Sequence, residues 1–229
     1  MSSFKLWRFQ PISAPGGART AGSYLLIALT LASLAVVGCN RTGTERGVYP
    51  IEYHTDGLPN LTLTDQYGHP LSLVALKGRP VLFDFIYTSC PGPCQLLTQH
   101  MKLIANKLGP ALGPRISFVS VTVDPEHDRP NRLFDYARAF EANVKGWYFL
   151  TGSSAQIDQL MSSFRLERKR ESDGEIGHVL GYFLVAPDGH PILEYSEEVK
   201  PLIAARDAET AASGKSVIAW VSTEFRIWI

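Results

Sequence analysis

Apolar and polar residues alternate along two stretches of the chain, each interrupted by a turn. The first covers residues 61–73, LTLTDQYGHPLSL, and the second covers residues 179–195, with Pro187-Asp188-Gly189 at its turn. Alternation with a period of two on both sides of a glycine-containing turn predicts a β-hairpin in each place. Continuous apolar and β-branched runs at residues 81–87 and 116–124 predict two strands that are buried on both faces.

Helical spacing of apolar residues predicts two helices that each follow one of these buried strands. The second helix begins at a start pattern formed by Asp128 and Pro130. The carboxylates of Asp124 and Asp128 could be mistaken for a site that binds a hard ion. We interpret them instead as residues that shape the loop after the strand and cap this helix. The first helix ends at Gly109-Pro110, and its apolar positions are Leu97, Met101, Ile104 and Leu108.

Three shorter segments complete the predicted fold. Residues 147–150, WYFL, predict a strand, and Ser153 or Ser154 is placed to cap a third helix. Residues 197–212 predict a last helix that covers one face of the sheet. The order of hairpin, strand, helix, strand, helix, strand, helix and hairpin predicts an α/β fold, with a mixed central sheet, helices on both faces and an added N-terminal hairpin.

The first 38 residues have the composition of an export signal. They carry three basic residues and no acidic one, and an apolar run over residues 24–37 precedes Gly38 and Cys39. A cysteine after a small residue resembles a bacterial lipobox, which implies cleavage before Cys39 and lipidation of that cysteine. The alternative is an uncleaved anchor helix over residues 21–38, because this run reaches the lower limit for spanning a bilayer. Either anchor predicts a bacterial protein held at a membrane and facing the periplasm or another extracytoplasmic space.

Composition divides the remaining chain into three parts. Residues 39–57 are polar and without periodicity, and we interpret them as a tether. Residues 58–213 are predicted to form the folded domain, and residues 214–229 a C-terminal tail to which no role is assigned. The chain has 22 Lys and Arg against 22 Asp and Glu, without a basic cluster. This balance gives no electrostatic basis for binding nucleic acid, so that class of function is excluded.

With Cys39 assigned to lipid, two cysteines remain, Cys90 and Cys94, in the stretch YTSCPGPCQ. A disulfide that closes so short a loop constrains the unfolded chain little, so a purely stabilising role is poorly motivated. A buried strand that leads into this stretch and then into a helix puts Cys90 at the helix N-terminus, where the dipole favours a thiolate. The spacing of four brings the two sulfurs close enough either to form a disulfide or to bind one ion, and the residues leave both outcomes open.

Thiolates are soft ligands that select Cu(I) or zinc over magnesium or calcium. Structural zinc usually needs four N or S ligands, and no second closely spaced Cys/His pair is present. Cu(I) accepts two or three ligands, so one distant histidine would complete its site. His178 directly precedes a strand expected at the sheet centre, on a loop that could lean over the cysteine helix. The six candidates are His54, His69, His100, His127, His178 and His190.

Four motifs in order make the chain similar to the Sco/SenC family of thioredoxin-fold copper proteins. The motifs are YTSCPGPC, VTVDPEHDRP, WYFLTGS and GHVLGYFLVAPDG, and the resemblance spans residues 58–195. It implies a thioredoxin-like fold and a copper site formed by Cys90, Cys94 and His178. It is this resemblance that selects His178, because a surface or structural role is the usual one for a single histidine.

The resemblance also implies a function, which is that of a copper metallochaperone and not of a turnover enzyme. Such a protein delivers copper to the binuclear copper centre of cytochrome c oxidase, and its cysteine pair is under redox control. The implied partner is the copper-bearing subunit of the oxidase. Other copper chaperones and thioredoxin-like reductants are further candidate partners.

Two positions, Gly177 and Asp84, count against this interpretation or favour an alternative to it. Many relatives have Asp directly before the loop histidine, where this chain has Gly177, so a carboxylate partner for the imidazole is missing or comes from elsewhere. Asp84 stands six residues before Cys90, where thioredoxins hold a buried acid that shuttles a proton to the active thiols. The alternative function is therefore an exported thiol-disulfide oxidoreductase that keeps the copper-ligand cysteines of the oxidase reduced. In that case Asp84 matters and His178 does not, whereas a structural Asp84 would bind nearby backbone.

Overall fold

The computed structural model describes residues 47–51, 57–172 and 174–217. The predicted export segment and Cys39 lie outside these residues. Within them, no helix combines the length and the apolar composition needed to cross a membrane. The strands are β1 (Val48–Pro50), β2 (Thr62–Thr64), β3 (Pro70–Ser72), β4 (Val81–Ile86), β5 (Ser117–Thr122), β6 (Trp147–Leu150), β7 (Lys169–Arg170), β8 (Ile176–Gly177), β9 (Gly181–Val185) and β10 (Pro191–Ser196).

Four α-helices lie between or after these strands in the described part of the chain. Three of them begin with proline, which is favoured at the first helical position because its missing N–H needs no partner there, and the remaining one begins after the capping residue Ser153. They are α1 (Pro93–Leu108), α2 (Pro130–Ala139), α3 (Ser154–Ser163) and α4 (Pro201–Ala212), with short 3-10 turns at Leu73–Leu76 and Gly109–Ala111. The capping box of α3 uses Ser153 and Gln156, so the predicted start of this helix is confirmed.

The central sheet has six strands in the order β1-β10-β9-β4-β5-β6. Strands β4, β5 and β6 run parallel, whereas β9 is antiparallel to β4, β10 to β9 and β1 to β10. The predicted mixed sheet is therefore confirmed. Every residue of β4, β5 and β9 is buried, as expected from their continuous apolar runs.

One face of this sheet is covered by the end of α3. The rings of Phe83, Phe85 and Phe183 lie 5.3, 5.4 and 5.2 Å from the ring of Phe164, which directly follows that helix. Aromatic rings at such separations in tilted and edge-to-face arrangements add to the stabilisation from burial. This cluster forms the core on the side of the sheet that faces away from the cysteines.

The opposite face carries α1, α2 and α4. Tyr195 of β10 stacks on Tyr182 of β9 and donates a hydrogen bond to Asp207 of α4 over 3.0 Å. Tyr136 of α2 contacts the ring of Phe149 in β6, and α1 packs against α4. Helices therefore lie on both faces, as predicted, and the helix that carries Cys94 is anchored by its neighbours.

Two regions of the sequence prediction need correction. Val48–Pro50 lies inside the segment interpreted as a tether, but it forms β1 and pairs with residues 193–195 of β10. The ribbon of β7 and β8 was not predicted at all. In both cases two or three residues are too few to show a period, so pairing with another strand decides the structure.

The predicted hairpin at residues 61–73 exists, as the separate two-stranded sheet of β2 and β3. Its turn is fastened to β6, the edge strand of the central sheet. Gln66 donates a hydrogen bond to the carbonyl of Trp147 and accepts one from the N–H of Phe149. This side chain occupies backbone groups that an edge strand would otherwise leave free.

Candidate metal centre

The loop between β4 and α1 places Cys90 just before the N-terminus of the helix, so Cys90 is not itself a helical residue. Helix α1 begins at Pro93, with Gly92 at its N-cap, so Cys90 lies in the loop and Cys94 in the first turn. The N–H of Cys94 donates to Cys90 Sγ over 3.4 Å, so the sulfur takes the place that a capping side chain usually has. The sulfur of Cys90 thus lies at the N-terminus of α1 and Cys94 lies in its first turn, as the sequence predicted.

Both thiols are free and enclosed by protein. The exposed fraction is 5% for Cys90 and 0% for Cys94. Burial raises the pKa of Cys94 well above its usual value, and the neighbouring Cys90 adds to this effect. An isolated Cys94 therefore keeps its proton at neutral pH. A positive ion at this place would favour the thiolate and displace the proton.

His178 lies on the loop between β8 and β9 and reaches the thiol of Cys94. Its Nε2 is 3.9 Å from Cys94 Sγ, and its ring meets the ring of Tyr87 edge to face. Its Nδ1 donates a hydrogen bond to the carbonyl of Val179 over 2.9 Å, because a carbonyl oxygen can only accept. Burial lowers the pKa of His178, and this hydrogen bond raises it by a smaller amount, so the pKa lies below its usual value. The imidazole is thus neutral, and its free lone pair on Nε2 faces Cys94.

The distance between Cys94 Sγ and His178 Nε2 suits a single ion bound by both atoms. In thiolate and imidazole sites the metal–sulfur bond is about 2.3 Å and the metal–nitrogen bond about 2.0 Å. The 3.9 Å between Cys94 Sγ and His178 Nε2 is shorter than the sum of these two bonds. One ion can therefore contact both atoms in a bent arrangement. The backbone of Val179 supplies the hydrogen-bond partner that Gly177 does not, since second ring nitrogens of metal-binding histidines commonly bind carbonyls.

The other described histidines have different surroundings. His127 and His190 lie beside Asp124 and Asp188, and His69 lies beside Asp65. His100 is half-buried on α1, with its Nδ1 enclosed and without a hydrogen-bond partner. Of the histidines within the described residues, His178 is the one whose ring nitrogen faces a cysteine sulfur.

Asp84 lies at the centre of the sheet on β4, fully buried, on the face that carries α1. Neither of its carboxylate oxygens has a hydrogen-bond partner among the described residues. Burial raises the pKa of Asp84 to about 7, and the nearby Ser120 hydroxyl offsets only part of this effect. A negative charge on Asp84 would in turn raise the pKa of Cys94.

Asp128 positions the cysteine loop, a role that sequence reasoning missed. The N-cap residue of α2 is Arg129, without a side-chain cap, so the predicted capping by Asp128 is wrong. Asp128 instead accepts hydrogen bonds from the N–H of Thr88 over 2.9 Å and from the hydroxyl of Thr122 over 2.6 Å. The Thr88 hydroxyl is a third donor. A buried carboxylate in the loop between β5 and α2 thus holds the residues that lead into Cys90.

Replacing Asp128 with alanine is expected to lower the free energy of unfolding by about 1 to 3 kcal/mol, because buried donors of Thr88 and Thr122 lose their acceptor. Chemical denaturation of the reduced protein measures this loss. Asp135→Ala is the matched control, because Asp135 and its partner Arg138 on α2 are both exposed. Equal losses in the two variants would contradict a positioning role of Asp128.

A strand that leads through Cys90 to a helix with Cys94, in a mixed sheet, defines a thioredoxin-like dithiol protein with an imidazole beside its thiols. A model of the SCO1/SenC family matches residues 53–213. This match covers most of the chain, so the chain belongs to the SCO1/SenC family. The family and the thioredoxin-like fold predicted from the four motifs are both confirmed.

Solved structures of this family are similar over the whole domain. A SCO1/SenC family lipoprotein from Bacillus anthracis is 25% identical with a TM-score of 0.64, over 71% of this chain and 97% of that one. The structure of Bradyrhizobium japonicum ScoI with copper bound is 27% identical with a TM-score of 0.60, over 68% and 98%. BsSco, described as having a disulfide switch and as a member of the Sco family of cytochrome c oxidase assembly proteins, is 29% identical with a TM-score of 0.63, over 72% and 96%.

Proposed function

We propose that this protein is a copper metallochaperone that carries one copper ion between Cys90, Cys94 and His178. The observation that carries this proposal is the approach of His178 Nε2 to Cys94 Sγ at 3.9 Å, with the ring held in the tautomer that leaves Nε2 free. Two soft sulfurs and one imidazole suit Cu(I), which accepts two or three ligands. The copper-bound ScoI structure supports copper as the cargo.

The recipient is the copper-bearing subunit of cytochrome c oxidase, at its binuclear copper centre. The description of BsSco as an oxidase assembly protein supports this assignment. The cysteine pair would also control the cargo. Oxidation of both thiols to a disulfide gives up two protons and two electrons to an acceptor and removes both sulfur ligands, so only the reduced protein carries copper.

Attachment to a membrane outside the cytoplasm fits this delivery. The basic start, the apolar run and the small residue before Cys39 support lipidation of that cysteine, and the similar Bacillus anthracis protein is a lipoprotein. The mass of the mature N-terminal peptide decides between a lipid at Cys39 and an uncleaved helix. A peptide that begins upstream of Cys39 and carries no lipid would contradict the lipoprotein anchor.

Replacing His178 with alanine tests the copper site. We expect Cu(I) affinity to fall by about tenfold to a hundredfold, because one of three ligands is lost. Competition with a chromophoric Cu(I) chelator measures the affinity, with the reduced full-length protein in detergent under anaerobic conditions. His190→Ala is the control, because His190 lies in an exposed turn beside Asp188. Unchanged affinity in His178→Ala would exclude the three-ligand site.

One observation favours a second function, that of a thiol-disulfide oxidoreductase. Asp84 is buried near Cys94 with a pKa of about 7, and its carboxylate oxygens lack a hydrogen-bond partner within the described residues, which suits a group that takes up and returns a proton during thiol exchange. Under this function Asp84→Asn slows disulfide exchange, whereas His178→Ala leaves exchange unchanged. Exchange that depends on Asp84, together with copper affinity that does not depend on His178, would favour the oxidoreductase over the chaperone.

A further inference from the structure

We propose that Arg170 is a positioning residue that sets the copper affinity by holding His178 beside Cys94. This inference rests on the proposed copper site, because it assumes that these two side chains bind the same ion. Arg170 acts through the ribbon of β7 and β8 and through an ion pair with Asp124. Nothing in the sequence motifs of the cysteines or the histidine points to this arginine.

The ribbon of β7 and β8 carries His178 at its end. Arg170 pairs with Ile176, Lys169 pairs with Gly177, and His178 is the next residue. A ribbon with two residues in each strand has little stability of its own in water. The place of the imidazole therefore depends on what fastens the ribbon to the rest of the domain.

Two arginines fasten the first strand of the ribbon to the loop after β5. Arg170 Nη2 donates to Asp124 Oδ1 over 2.7 Å, and Arg170 Nη1 donates to the carbonyl of Gly174 within the ribbon over 3.3 Å. Arg168 Nη1 donates to the carbonyl of Val123 over 2.6 Å. The guanidinium of Arg170 thus closes the ribbon and ties it to the Asp124 carboxylate in the loop after β5. Hydrogen bonds between two charged groups are among the strong ones in proteins.

The Asp124 end of this ion pair is rigid and charged. The exposed fraction of the Asp124 side chain is 5%, against 42% for Arg170. The N–H of Asp124 donates to the Thr122 hydroxyl, and its carboxylate also pairs with His127. Burial alone would raise the pKa of Asp124, but His127 and Arg170 outweigh it and lower the pKa, so the carboxylate is ionised at neutral pH.

The loop after β5 therefore supports both halves of the copper site. Through Asp128 it holds Thr88 and the approach to Cys90, and through Asp124 it holds Arg170 and the approach to His178. The N–H of Val123 also donates to the carbonyl of Ile86, at the end of β4. Loss of Arg170 would remove one of the two ties on the histidine side of the site and leave the cysteine side in place, which distinguishes this residue from a general contributor to stability.

The test is Arg170→Ala in the full-length reduced protein, alone and combined with His178→Ala, with Cu(I) affinity measured by chelator competition. We expect Arg170→Ala alone to lower the affinity by about tenfold, because partners that orient metal-binding histidines commonly have effects of this size. In the His178→Ala background we expect a change of less than about twofold, because no imidazole remains to be positioned. Arg138→Ala, which breaks an exposed arginine–aspartate pair on α2, is expected to leave the affinity unchanged.

A second measurement separates positioning from folding. In the Cu(II) form, pulsed electron paramagnetic resonance detects the nitrogen of a bound imidazole, and this feature should weaken in Arg170→Ala. Arg170→Lys keeps the charge near Asp124 and should restore part of the affinity, and Asp124→Asn should reproduce the loss from the other side of the pair. These two variants also test the inference if Arg170→Ala does not fold.

Three outcomes would overturn the inference. The first is that Arg170→Ala binds Cu(I) as tightly as Arg138→Ala. The second is that Arg170→Ala lowers the affinity by the same factor whether or not His178 is present, and the third is that the imidazole signal of Arg170→Ala is unchanged. If the proposed copper site is itself wrong, the result differs, since His178→Ala alone would then bind copper as tightly as the unaltered protein. An error in the copper site and an error in the role of Arg170 are therefore detected with different variants.

Discussion

Cys94→Ser is expected to weaken Cu(I) binding by about a hundredfold or more. Cys94 Sγ is the atom that faces His178 Nε2, and the Cys94 N–H binds the sulfur of Cys90, so Cys94 contacts both other members of the site. A serine hydroxyl is a hard donor that stays protonated, and Cu(I) prefers soft thiolates. Binding energies of about 10 to 16 kcal/mol for four-ligand zinc sites correspond to several kcal/mol for each ligand, which sets the scale of this loss.

Anaerobic competition with a chromophoric Cu(I) chelator measures this effect, on protein whose thiols have been counted. Cys39→Ser is the matched control, because it removes the remaining cysteine of the chain without touching the pair in YTSCPGPCQ. We expect it to leave the copper affinity of the purified protein unchanged. The assignment of Cys94 fails if Cys94→Ser binds Cu(I) within about threefold of the unaltered protein, or if Cys39→Ser gives the same loss.

The second large effect concerns Asp84 and pH. The pKa of Asp84 in the folded protein is about 7, well above the ordinary value of about 3.9 for an aspartate, because the side chain is fully buried. The folded state therefore holds the proton more strongly than the unfolded state. The stabilisation is complete below the unfolded pKa near 4 and is lost as the pH rises through 7. At 1.36 kcal/mol per unit of pKa, this contribution reaches about 4 kcal/mol.

We therefore expect the reduced protein to lose stability between pH 5 and 8, and Asp84→Asn to lose much less over this range. An asparagine cannot acquire the charge that the buried site disfavours, so at pH 8 Asp84→Asn should unfold at a higher denaturant concentration than the unaltered protein. Denaturation curves at pH 5, 6, 7 and 8 test this expectation. Asp135→Asn, at an exposed position, should keep the original pH dependence. Identical pH dependence in Asp84→Asn and the unaltered protein would refute the raised pKa.

The sequence predicted the parts of the fold that depend on neighbours along the chain. Strands β4 and β5 and helix α1 lie where their apolar patterns indicated, because both faces of a central strand and one face of a helix must be buried. The cysteine pair could also be located, since its spacing and the strand before it place both sulfurs at the start of α1. These features are local and need no knowledge of distant contacts.

Other parts of the site depend on distant residues, and the sequence predicted them less well. The pattern of Asp128 and Pro130 resembles a helix cap, but Asp128 accepts its hydrogen bonds from Thr88 and Thr122 and does not cap α2. Arg170 and the short ribbon before His178 carry no period that could identify them. His178 was selected from six histidines through the resemblance to a family, because its approach to Cys94 joins residues 84 positions apart.

By itself, the sequence determined the chemistry of the donors and the order of the elements, because side-chain type and periodicity are properties of neighbouring residues. Only the tertiary structure decided which nitrogen of His178 is free, that the Asp84 carboxylate has no hydrogen-bond partner among the described residues, and that one loop supports both sides of the proposed site. The physical reason is that tautomers, pKa values and ion pairs depend on which distant groups folding brings into contact and removes from water.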